Sequence, residues 1–585
     1  MNQIRPIALT DTDHVARWLT VFDGALRAGD RTALLALFAD DCHWRDLLAF
    51  TWNITPHQGA ATIADALIIA QAAADAGTFL PAQDRTAPRR VKRHGSDVIE
   101  AIFSFETAVG RGHGVVRLLA AQPEKAFVLM TSLDELKGHE EPIDERRPSG
   151  SAYSRNFGGD NWADRRAKEQ AFADRDPAAL IIGAGQAGLS IAARLRLLGV
   201  DTLVIDKLPR VGDNWRDRYH SLALHNKVPL NHLPYMPFPP SWPKFLPKDM
   251  IADWLETYAW AMECNVWTGT TFLGGTYDAA ADRWTTRVRR ADGSERDLHP
   301  RHLIFANGIV GSPKAPKLPG LEDFKGEVLH THGFRDGAPW SGKRALVLGA
   351  GTSGHDVAQD LYSHGAAVKL VQRGSTTVVS VESAGINHSV YYDEGLPLED
   401  CDLISASSTY PLLVRGYQLA VKRMVEIDKD LIAGLAARGF KQDMGEDGTG
   451  HQMKLRRRFG GYYLDCGCSD LIISGEIGLL QFDDIDRFVA EGALMKDGRL
   501  EEADLLVTAT GYHSPQELIR QVLGEEIAER VGPIWGLSAD GELENMFRPT
   551  PQKGLWFSGG GFAHARIYSH YIALQIKARE EGLIA

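Results

Sequence analysis

The spacing of apolar and polar residues changes from one part of the chain to the next. Apolar residues recur at helical spacing over 15–26, and Asp30 is a typical N-cap for a second helix that continues to residue 38. Alternating apolar and polar positions within 96–133 predict strands of an antiparallel sheet. Helices followed by strands predict a small α+β domain over residues 1–137.

Residues 138–176 lack any hydrophobic period and are rich in charge, glycine, serine and proline. That composition is typical of a linker or of an arm that follows the protein surface. Residues 385–460 return to helical spacing, which predicts a helical insertion.

Two segments repeat the order strand, glycine turn, helix, strand. A strand at 179–182 precedes GAGQAG at 183–188, and the next strand ends at Asp206. A further short strand precedes GAGTSG at 349–354, and its following strand ends at Arg373. Each turn follows a strand and opens a helix, as a dinucleotide-binding loop must. The chain is therefore predicted to be an α/β protein with two Rossmann-like domains.

Composition and charge exclude several classes of function. The 585 residues predict several domains, because one hydrophobic core rarely serves more than about 300 residues. A net charge of −12 argues against a general nucleic-acid binder. Five scattered cysteines predict neither a disulfide framework nor a metal site, and no apolar run has the length of a membrane span. We expect a cytoplasmic protein with no nucleic-acid or membrane partner.

The two glycine loops are expected to bind phosphates, because the N–H groups that open each helix attract a pyrophosphate. Asp206 suits the free ribose hydroxyl of FAD, whereas Arg373 suits the 2′-phosphate of NADPH, with NADH tolerated. The alternatives are a cofactor-free turn and a surface arginine. The expected contacts are Gly183, Gly185, Gln186, Ala187, Gly188, Asp206 and Lys207 for FAD, and Gly349, Gly351, Thr352, Ser353, Gly354, Arg373 and Ser375 for NADPH.

Separate motifs beyond residue 177 resemble the class B flavin-containing monooxygenase family. VGDNW at 211–215 resembles its GGxW segment, with Asp213 in place of a glycine. FKGEVLHTHGF at 324–334 resembles the FxGxxxHxxx(Y/F) signature, and FANG at 305–308 and ATGY at 509–512 resemble its two crossings between domains. This resemblance adds the expected cofactor contacts Gly212, Asn214, Trp215, Thr510, Gly511 and Tyr512.

The resemblance implies an FAD- and NADPH-dependent monooxygenase that inserts one oxygen atom of O2 into a small organic substrate through a C4a-(hydro)peroxyflavin. N- or S-oxygenation is the expected reaction. The alternatives are Baeyer–Villiger oxidation of ketones and oxidative decarboxylation of an indole-pyruvate-like acid. A non-oxygenating flavin reductase is more remote, because Cys466-Gly-Cys468 is not the CxxC pair of such enzymes and is expected to hold two buried thiols.

The resemblance implies four residues that shape the active site, and Arg566 is a fifth residue with two alternative roles. His225 or Asn226 is expected to lie beside the flavin, with a turn-capping role as the alternative. His330 and Phe334 are expected to organise a linker over NADP rather than transfer protons. Arg566, after three glycines at 559–561, is expected either to favour anionic reduced flavin or to pair with a phosphate or carboxylate.

The first domain resembles an NTF2-like (SnoaL-like) cone, found as an extension in a subgroup of this family. Packing or dimerisation is its expected role, so a homodimer is an expected assembly. The alternative is a catalytic pocket lined by Asp41, His43, Trp44, Asp46 and His57. The expected order is a cone (1–137), a linker (138–176), the first part of the FAD domain (177–338), the NADPH domain with its insertion (339–490, insertion 385–460) and the rest of the FAD domain (491–585).

Overall fold

A computed structural model describes residues 9–150, 155–308 and 312–584. The second helix ends at Leu37 rather than at Phe38, because Phe38 is extended and opens a strand. The first part contains α1 (Asp11–Ala28), α2 (Arg31–Leu37), β1 (Phe38–Leu47), β2 (Ile54–Gln58), α3 (Ala60–Ala74), β3 (Gly77–Pro81), β4 (Arg89–Arg93), β5 (Ser96–Glu106), β6 (Gly110–Leu119) and β7 (Gln122–Leu136).

These strands form a seven-stranded sheet in the order β2-β1-β7-β6-β5-β3, with β4 also paired to β5. Only β1 and β7 run parallel. Asp30 accepts a hydrogen bond from Ala33 N, so its predicted capping role is confirmed. The predicted combination of helices and antiparallel strands is present, and the likeness to an NTF2-like cone stays a prediction.

The segment after this sheet contains a helix that its composition did not predict, α4 (Trp162–Ala171). Asn161 and Asp164 cap its first turn reciprocally, a local signal that the lack of an apolar period obscured. Trp267 donates its indole N–H to the Gln170 carbonyl at 2.7 Å. This part of the linker therefore lies against the following domain as a surface arm.

The next part of the described chain contains three helices and eight strands, the last of them past the first crossing. They are β8 (Ala179–Ile182), α5 (Gln186–Leu197), β9 (Thr202–Ile205), α6 (Asp213–Arg216), α7 (Lys248–Ala261), β10 (Val266–Trp267), β11 (Thr271–Asp278), β12 (Arg283–Arg289), β13 (Glu295–Leu298), β14 (His302–Phe305) and, past the crossing, β15 (Glu327–His330).

The remaining chain combines a second parallel sheet, a helical insertion and the C-terminal helices. Its elements are β16 (Arg344–Leu348), α8 (Thr352–Ser363), β17 (Ala367–Gln372), β18 (Thr377–Ser380), α9 (Val381–Ala384), α10 (Ser389–Tyr392), α11 (Leu398–Ala406), α12 (Tyr410–Ile427), α13 (Lys429–Ala437), α14 (Gly450–Arg458), β19 (Tyr462–Asp465), α15 (Cys468–Ser474), β20 (Gly478–Gln481), β21 (Ile485–Val489), β22 (Gly492–Met495), β23 (Leu500–Glu502), β24 (Leu505–Thr508), α16 (Pro515–Leu523), α17 (Glu525–Val531), β25 (Leu555–Phe557) and α18 (Phe562–Glu580).

Two parallel sheets confirm the prediction of two Rossmann-like units. One has the order β10-β9-β8-β14-β25 and the other the order β15-β24-β16-β17-β20. Their central strands are buried on both faces, which explains their continuous apolar runs. Strands β15 and β24 pair within the second sheet, although the expected boundaries placed them in the FAD domain. Those boundaries otherwise stay a prediction.

Residues 385–460, the predicted insertion, are largely helical and pack against the first domain through charged groups. Arg93 donates to Glu394 at 2.6 Å across this contact. Arg45 on β1 donates to both carboxylate oxygens of Glu542, at 2.8 and 2.7 Å, and to the Ala406 carbonyl at 2.5 Å. The first domain therefore holds the insertion in place. Among the described helices, none is both long and apolar enough to cross a membrane.

Candidate functional site

The first glycine loop has the backbone shape of a phosphate cradle. Gly183 has φ +107°, and a Cβ there would lie 2.7 Å from the Ala306 carbonyl oxygen. A Cβ on Gly188 would lie 1.9 Å from the Gly183 carbonyl oxygen. Helix α5 starts immediately after Gly185, with Gln186 and Ala187 in its first turn. Only glycine fits these positions, and the free N–H groups of the helix face the turn.

Asp206 lies at the end of β9 beside this loop. Its carboxylate accepts hydrogen bonds from Ala184 N at 2.7 Å and from Leu208 N at 2.9 Å. Lys207 next to it is exposed. The aspartate is therefore fixed at the edge of the cradle, where a ribose would follow the pyrophosphate.

Three segments distant in sequence meet at the start of α5. Gln186 accepts a hydrogen bond from the Trp215 indole at 3.4 Å and donates to the Gly560 carbonyl at 3.2 Å. Trp215 also stacks on Phe562 with ring centroids 5.9 Å apart. Gly212, at φ +91°, caps the short helix that carries Asn214 and Trp215. The VGDNW motif thus connects the first loop to the start of α18.

The second loop repeats the same geometry. Gly349 has φ +121°, and a Cβ there would lie 2.4 Å from the Ala509 carbonyl oxygen. A Cβ on Gly354 would lie 1.8 Å from the Gly349 carbonyl oxygen. Helix α8 starts after Gly351 with Thr352 and Ser353, and the Thr352 hydroxyl donates to the Tyr462 carbonyl at 3.2 Å. Both loops therefore fit a dinucleotide pyrophosphate.

Arg373 follows β17 and is exposed, as is Ser375. Lys454 Nζ donates to Asp443 at 2.7 Å and, with a smaller contribution from Ser375, lowers the pKa of that carboxyl group to about 2. Arg373 makes no ion pair with a described residue, and its contact with the 2′-phosphate of NADPH stays a prediction.

His330 joins the two crossings between the parallel sheets. Its Nε2 donates to the Gly511 carbonyl at 3.0 Å, and its Nδ1 accepts from His332 N at 3.0 Å. Tyr512 contacts the His330 ring edge-on at 5.4 Å. Burial lowers the pKa of His330, so the imidazole stays neutral. With both nitrogens engaged, His330 acts as a fixed bridge.

Phe334 and Thr510 hold the same region from either side. Phe334 is buried in the core of the second sheet together with Tyr219. The Thr510 hydroxyl donates to the Lys314 carbonyl at 2.7 Å. The burial of Phe334 fits the linker-organising role expected of it, whereas the cofactor contact expected of Thr510 stays a prediction.

Comparison with known proteins shows which families this chain is similar to. The family model for pyridine nucleotide-disulphide oxidoreductases matches residues 177–389. Indole-3-pyruvate monooxygenase YUCCA1 of Oryza sativa subsp. japonica is 31% identical over 342 residues, which cover 58% of this chain and 77% of that relative. Probable indole-3-pyruvate monooxygenase YUCCA3 of Arabidopsis thaliana is 30% identical over 346 residues, covering 57% of this chain and 73% of that relative.

The chain belongs to the class B flavin-containing monooxygenase family. This flavin monooxygenase is an oxidoreductase that uses FAD and NADPH, as the family does. Its fold is similar to that of cyclohexanone monooxygenase with bound ε-caprolactone, with 17% identity, a TM-score of 0.51 and coverage of 69% of this chain and 88% of the other. An oxidised steroid monooxygenase bound to NADP gives 18% identity and a TM-score of 0.50, covering 70% of this chain and 85% of the other.

In this flavin monooxygenase His225 and Asn226 face different surroundings. His225 lies between Cys466, at 3.5 Å from its Nδ1, and Asp356 of α8, at 4.0 Å from its Nε2. The Asn226 carbonyl accepts from Asn231 at 2.9 Å, and its side-chain amide has no hydrogen bond to another described residue. Of these two side chains, that of Asn226 is therefore the one without a hydrogen-bond partner among the described residues.

The expectation of two buried thiols at 466 and 468 is wrong for one of them. Cys468 is buried, but Cys466 is exposed, because it lies in the turn before α15. Burial nevertheless raises the pKa of both thiols, that of Cys466 to about 12. Thiols with raised pKa values are poor nucleophiles, which disfavours a redox role for this pair.

Sequence reasoning missed a cluster of one buried and two half-buried histidines beside the two loops. The histidine cluster consists of His388, His451, His564 and Gln452. The Gln452 amide nitrogen lies 3.3 Å from His388 Nε2 and 3.2 Å from His451 Nε2. Burial lowers the pKa of His388 to about 4 and those of His451 and His564 to about 3. All three imidazoles are therefore neutral near pH 7.

The histidine cluster touches both halves of the nucleotide-binding region. His564 lies in the first turn of α18, just after the Gly560 that binds Gln186. The His451 ring lies 6.1 Å from the Tyr462 ring, and the Tyr462 carbonyl binds Thr352 of the second loop. Within the described residues no three His, Cys, Asp or Glu side chains are placed to hold a metal ion. The cluster is thus a neutral hydrogen-bonding surface.

Arg566 pairs with a carboxylate, one of its two expected roles. It donates to both oxygens of Asp402, at 2.7 and 2.6 Å, and to the carbonyls of Leu230 and His232. Since Asp402 lies on α11, this pair joins the insertion to the C-terminal helix. The only sequence signal for this neighbourhood was the run of glycines at 559–561.

Proposed function

We propose that this flavin monooxygenase oxygenates a small carbonyl compound and that a 2-oxo acid is its substrate. In this proposal Gly183, Gly185 and Gly188 with Asp206 hold FAD. The second loop with Arg373 holds NADPH. The glycine positions that no Cβ can enter support both assignments.

The observation that carries the choice of substrate is the histidine cluster. Neutral imidazole N–H groups can donate to a carbonyl oxygen without adding charge to the site. An amine substrate is cationic near neutral pH and gains nothing from such donors. The relatives named indole-3-pyruvate monooxygenase add independent support for a 2-oxo acid.

The chain's own residues bind and orient the reactants. Bound flavin supplies transfer of an electron pair from NADPH to O2 and delivery of one oxygen atom to the substrate. The free amide of Asn226 lies one residue from Lys227, whose N–H donates to the Tyr392 hydroxyl at 3.1 Å. Tyr392 in turn contacts the His388 ring edge-on at 5.8 Å. These contacts support a role for Asn226 on the flavin side and for the histidine cluster at the substrate carbonyl.

The reaction balances for a 2-oxo acid anion. R–CO–COO⁻, O2, NADPH and H⁺ give R–COO⁻, CO2, NADP⁺ and water. The bond between the two carbonyl carbons breaks, one atom of O2 enters the new carboxylate, and the other leaves as water. A site that excludes bulk water would limit the diversion of reduced flavin to hydrogen peroxide.

Mass analysis of products made under ¹⁸O2 tests the proposal. The purified holoenzyme receives phenylpyruvate, phenylacetone, thioanisole or N,N-dimethylaniline in parallel. We expect one ¹⁸O atom in phenylacetate from phenylpyruvate, with CO2 release matching NADPH oxidation. Oxygenation of the sulfide or amine alone would transfer the assignment to heteroatom oxygenation. Formation of hydrogen peroxide without any oxygenated product would refute monooxygenation of all four compounds. The Gly354→Ala variant, which is expected not to use NADPH, serves as the control.

A further inference from the structure

A cavity lies between one face of the first domain's sheet, the chain that follows β7 and helix α18. Its volume is about 460 Å³, and its lining includes Leu80 of β3, Ser104 of β5, His113 of β6, Asp134 of β7 and His570 of α18. Neither glycine loop nor the histidine cluster contributes to the described lining. The cavity is therefore separate from the groups assigned to the flavin reaction, and its size suits a small organic molecule.

The strand register brings Ser104 and His113 together at this cavity. They are directly opposite each other on the antiparallel strands β5 and β6. Side chains in such a pair lie on the same face, with Cβ atoms about 4.5–5.5 Å apart. Phe103 and Phe105, on either side of Ser104, are buried in the core, so the alternation of a strand turns Ser104 to the opposite face. Leu80, opposite Ser104 on β3, lies on that face too and is 55% exposed.

Asp134 holds the His113 ring in a defined orientation. His113 Nδ1 donates to Asp134 Oδ2 at 2.5 Å, and the Ser132 hydroxyl donates to the other carboxylate oxygen at 3.3 Å. A neutral imidazole that donates from Nδ1 keeps its lone pair on Nε2. This Nε2 lies 3.9 Å from Asp84, which follows β3, and β3 borders β5 on the side away from β6. The basic nitrogen is therefore directed across β5, the strand that carries Ser104.

A buried donor lies beside these groups. Arg85 lines the cavity, Asp400 accepts from its Nη1 at 3.4 Å, and its Nε is buried without a hydrogen-bond partner among the described residues. That Nε lies 4.0 Å from Asp84, the carboxylate that is 3.9 Å from His113 Nε2, and at these distances Asp84 forms a hydrogen bond with neither nitrogen. The Ser104 hydroxyl has no hydrogen bond to another described residue. A hydroxyl, a base and a donor can therefore all engage a molecule in the cavity.

We propose that this cavity is a second active site, in which Ser104 is the nucleophile for hydrolysis of small, uncharged carboxylic esters. His113 is the general base that takes the proton of the Ser104 hydroxyl, and Asp134 keeps the imidazole in the required orientation. The Arg85 Nε–H donates to the oxygen that becomes negative when the ester carbonyl is attacked. Leu80 contacts the apolar part of the ester. This activity is independent of the proposed flavin reaction.

The reaction consumes one ester and one water molecule. In the first half, a bond forms between Ser104 Oγ and the acyl carbon, the bond from that carbon to the alcohol oxygen breaks, and the proton held by His113 passes to the leaving alcohol. In the second half, His113 takes a proton from water, the water oxygen bonds to the acyl carbon, and Ser104 Oγ leaves with that proton. R–CO–OR′ and H2O thus give R–COOH and R′–OH, with no change of oxidation state.

Labelling of the holoenzyme with a fluorophosphonate tests the nucleophile, because this reagent phosphonylates activated serine hydroxyls. We expect the label on the peptide that contains Ser104, identified by mass analysis after digestion. His113→Gln should abolish the label at this position, since the hydroxyl then has no base. Absence of label from Ser104 in the wild-type protein would overturn the proposal.

Hydrolysis of p-nitrophenyl butyrate without NADPH and O2 tests the reaction. Ser104→Ala and His113→Gln should each lower kcat/KM by about 10²- to 10⁴-fold. Asp134→Asn should lower kcat but change KM less than about threefold, because Asp134 acts on His113 rather than on the ester. The matched controls are Ser96→Ala on the same strand and His139→Gln after β7, and neither should change the rate, since neither residue lines the cavity.

FAD content and thermal unfolding identify any variant that has lost its fold, and labelling of the wild-type protein decides the question in that case. Hydrolysis by a folded Ser104→Ala variant within threefold of wild type, or equal losses in the two control variants, would overturn the assignment. Failure of the proposed flavin function leaves both measurements valid, because neither of them uses NADPH or O2.

Discussion

Replacing Arg45 by methionine should loosen the contact of the first domain with the insertion and with the C-terminal part of the chain. Arg45 is 4% exposed and donates to Glu542, to the Ala406 carbonyl and, at 3.2 Å, to the Tyr568 hydroxyl. Methionine keeps the apolar stem and removes only the charge and the donors. Glu542 would then lose its partner while its side chain stays only 14% exposed.

The structure sets the magnitude of this effect. Removing one partner of a buried ion pair costs about 3–5 kcal/mol. The partial exposure of Glu542 and the nearby Arg456 reduce this to about 2–4 kcal/mol. Such a loss should speed amide hydrogen exchange of β1 by about 30- to 700-fold under conditions where exchange reports the opening equilibrium.

Peptide-level hydrogen exchange of the holoenzyme measures this change in β1. The double variant Arg45→Met with Glu542→Gln should recover at least about 1 kcal/mol, because no unpaired charge remains. Arg90→Met is the control, since Arg90 and Asp11 form a more exposed pair in the same domain. Two results would refute the reasoning. One is amide exchange of β1 in Arg45→Met within threefold of wild type. The other is a double variant whose loss of stability equals the sum of the losses of the two single variants.

Three further outcomes are expected. Gly188→Ala should yield protein without FAD, and Gly354→Ala should retain FAD but lose NADPH oxidation, because each added Cβ would lie within 2 Å of a backbone carbonyl oxygen. Flavin absorbance and NADPH consumption measure the two effects. Normal cofactor use by either variant would contradict the assignment of that loop as a phosphate cradle. Arg373→Ala should lower kcat/KM for NADPH by about 10- to 100-fold and leave NADH unaffected, and equal losses would remove the 2′-phosphate assignment. His564 has a folded pKa of about 3, below its unfolded value of about 6.5, so its contribution to stability is present above pH 6.5 and is lost as pH falls toward 3. The urea midpoint should therefore drop on acidification, and His564→Phe should flatten that slope; an unchanged slope would contradict it.

Local patterns along the chain predicted the nucleotide-binding core well. The strands before and after the first loop, Ala179–Ile182 and Thr202–Ile205, begin and end where their apolar runs do. Such agreement is expected, because a strand buried on both faces and a glycine required by backbone geometry can each be recognised from a short segment of the sequence. Family membership and both cofactors followed from the same motifs.

Features that depend on distant residues escaped prediction. His388, His451 and His564 belong to three separate helical segments, and no local spacing brings them together. The exposure of Cys466 depends on a turn, and Glu394 finds its partner Arg93 on a strand of another domain. Helix α4 carries few apolar residues, so only its capping pair could have indicated it. The NTF2-like likeness, the homodimer and the cytoplasmic location stay predictions.

The order of strands in the first parallel sheet has a consequence for synthesis of the protein. Strand β14 ends at Phe305, and its neighbour β25 begins only at Leu555. At about 5–20 residues per second, a ribosome needs roughly 10 to 50 s to add the intervening chain. During that interval β14 has an open edge in the growing polypeptide, while all strands of the first domain are already outside the ribosome. A chaperone that covers this edge, or early arrival of FAD at Gly183, would therefore affect yield more than any stabilising change in the first domain.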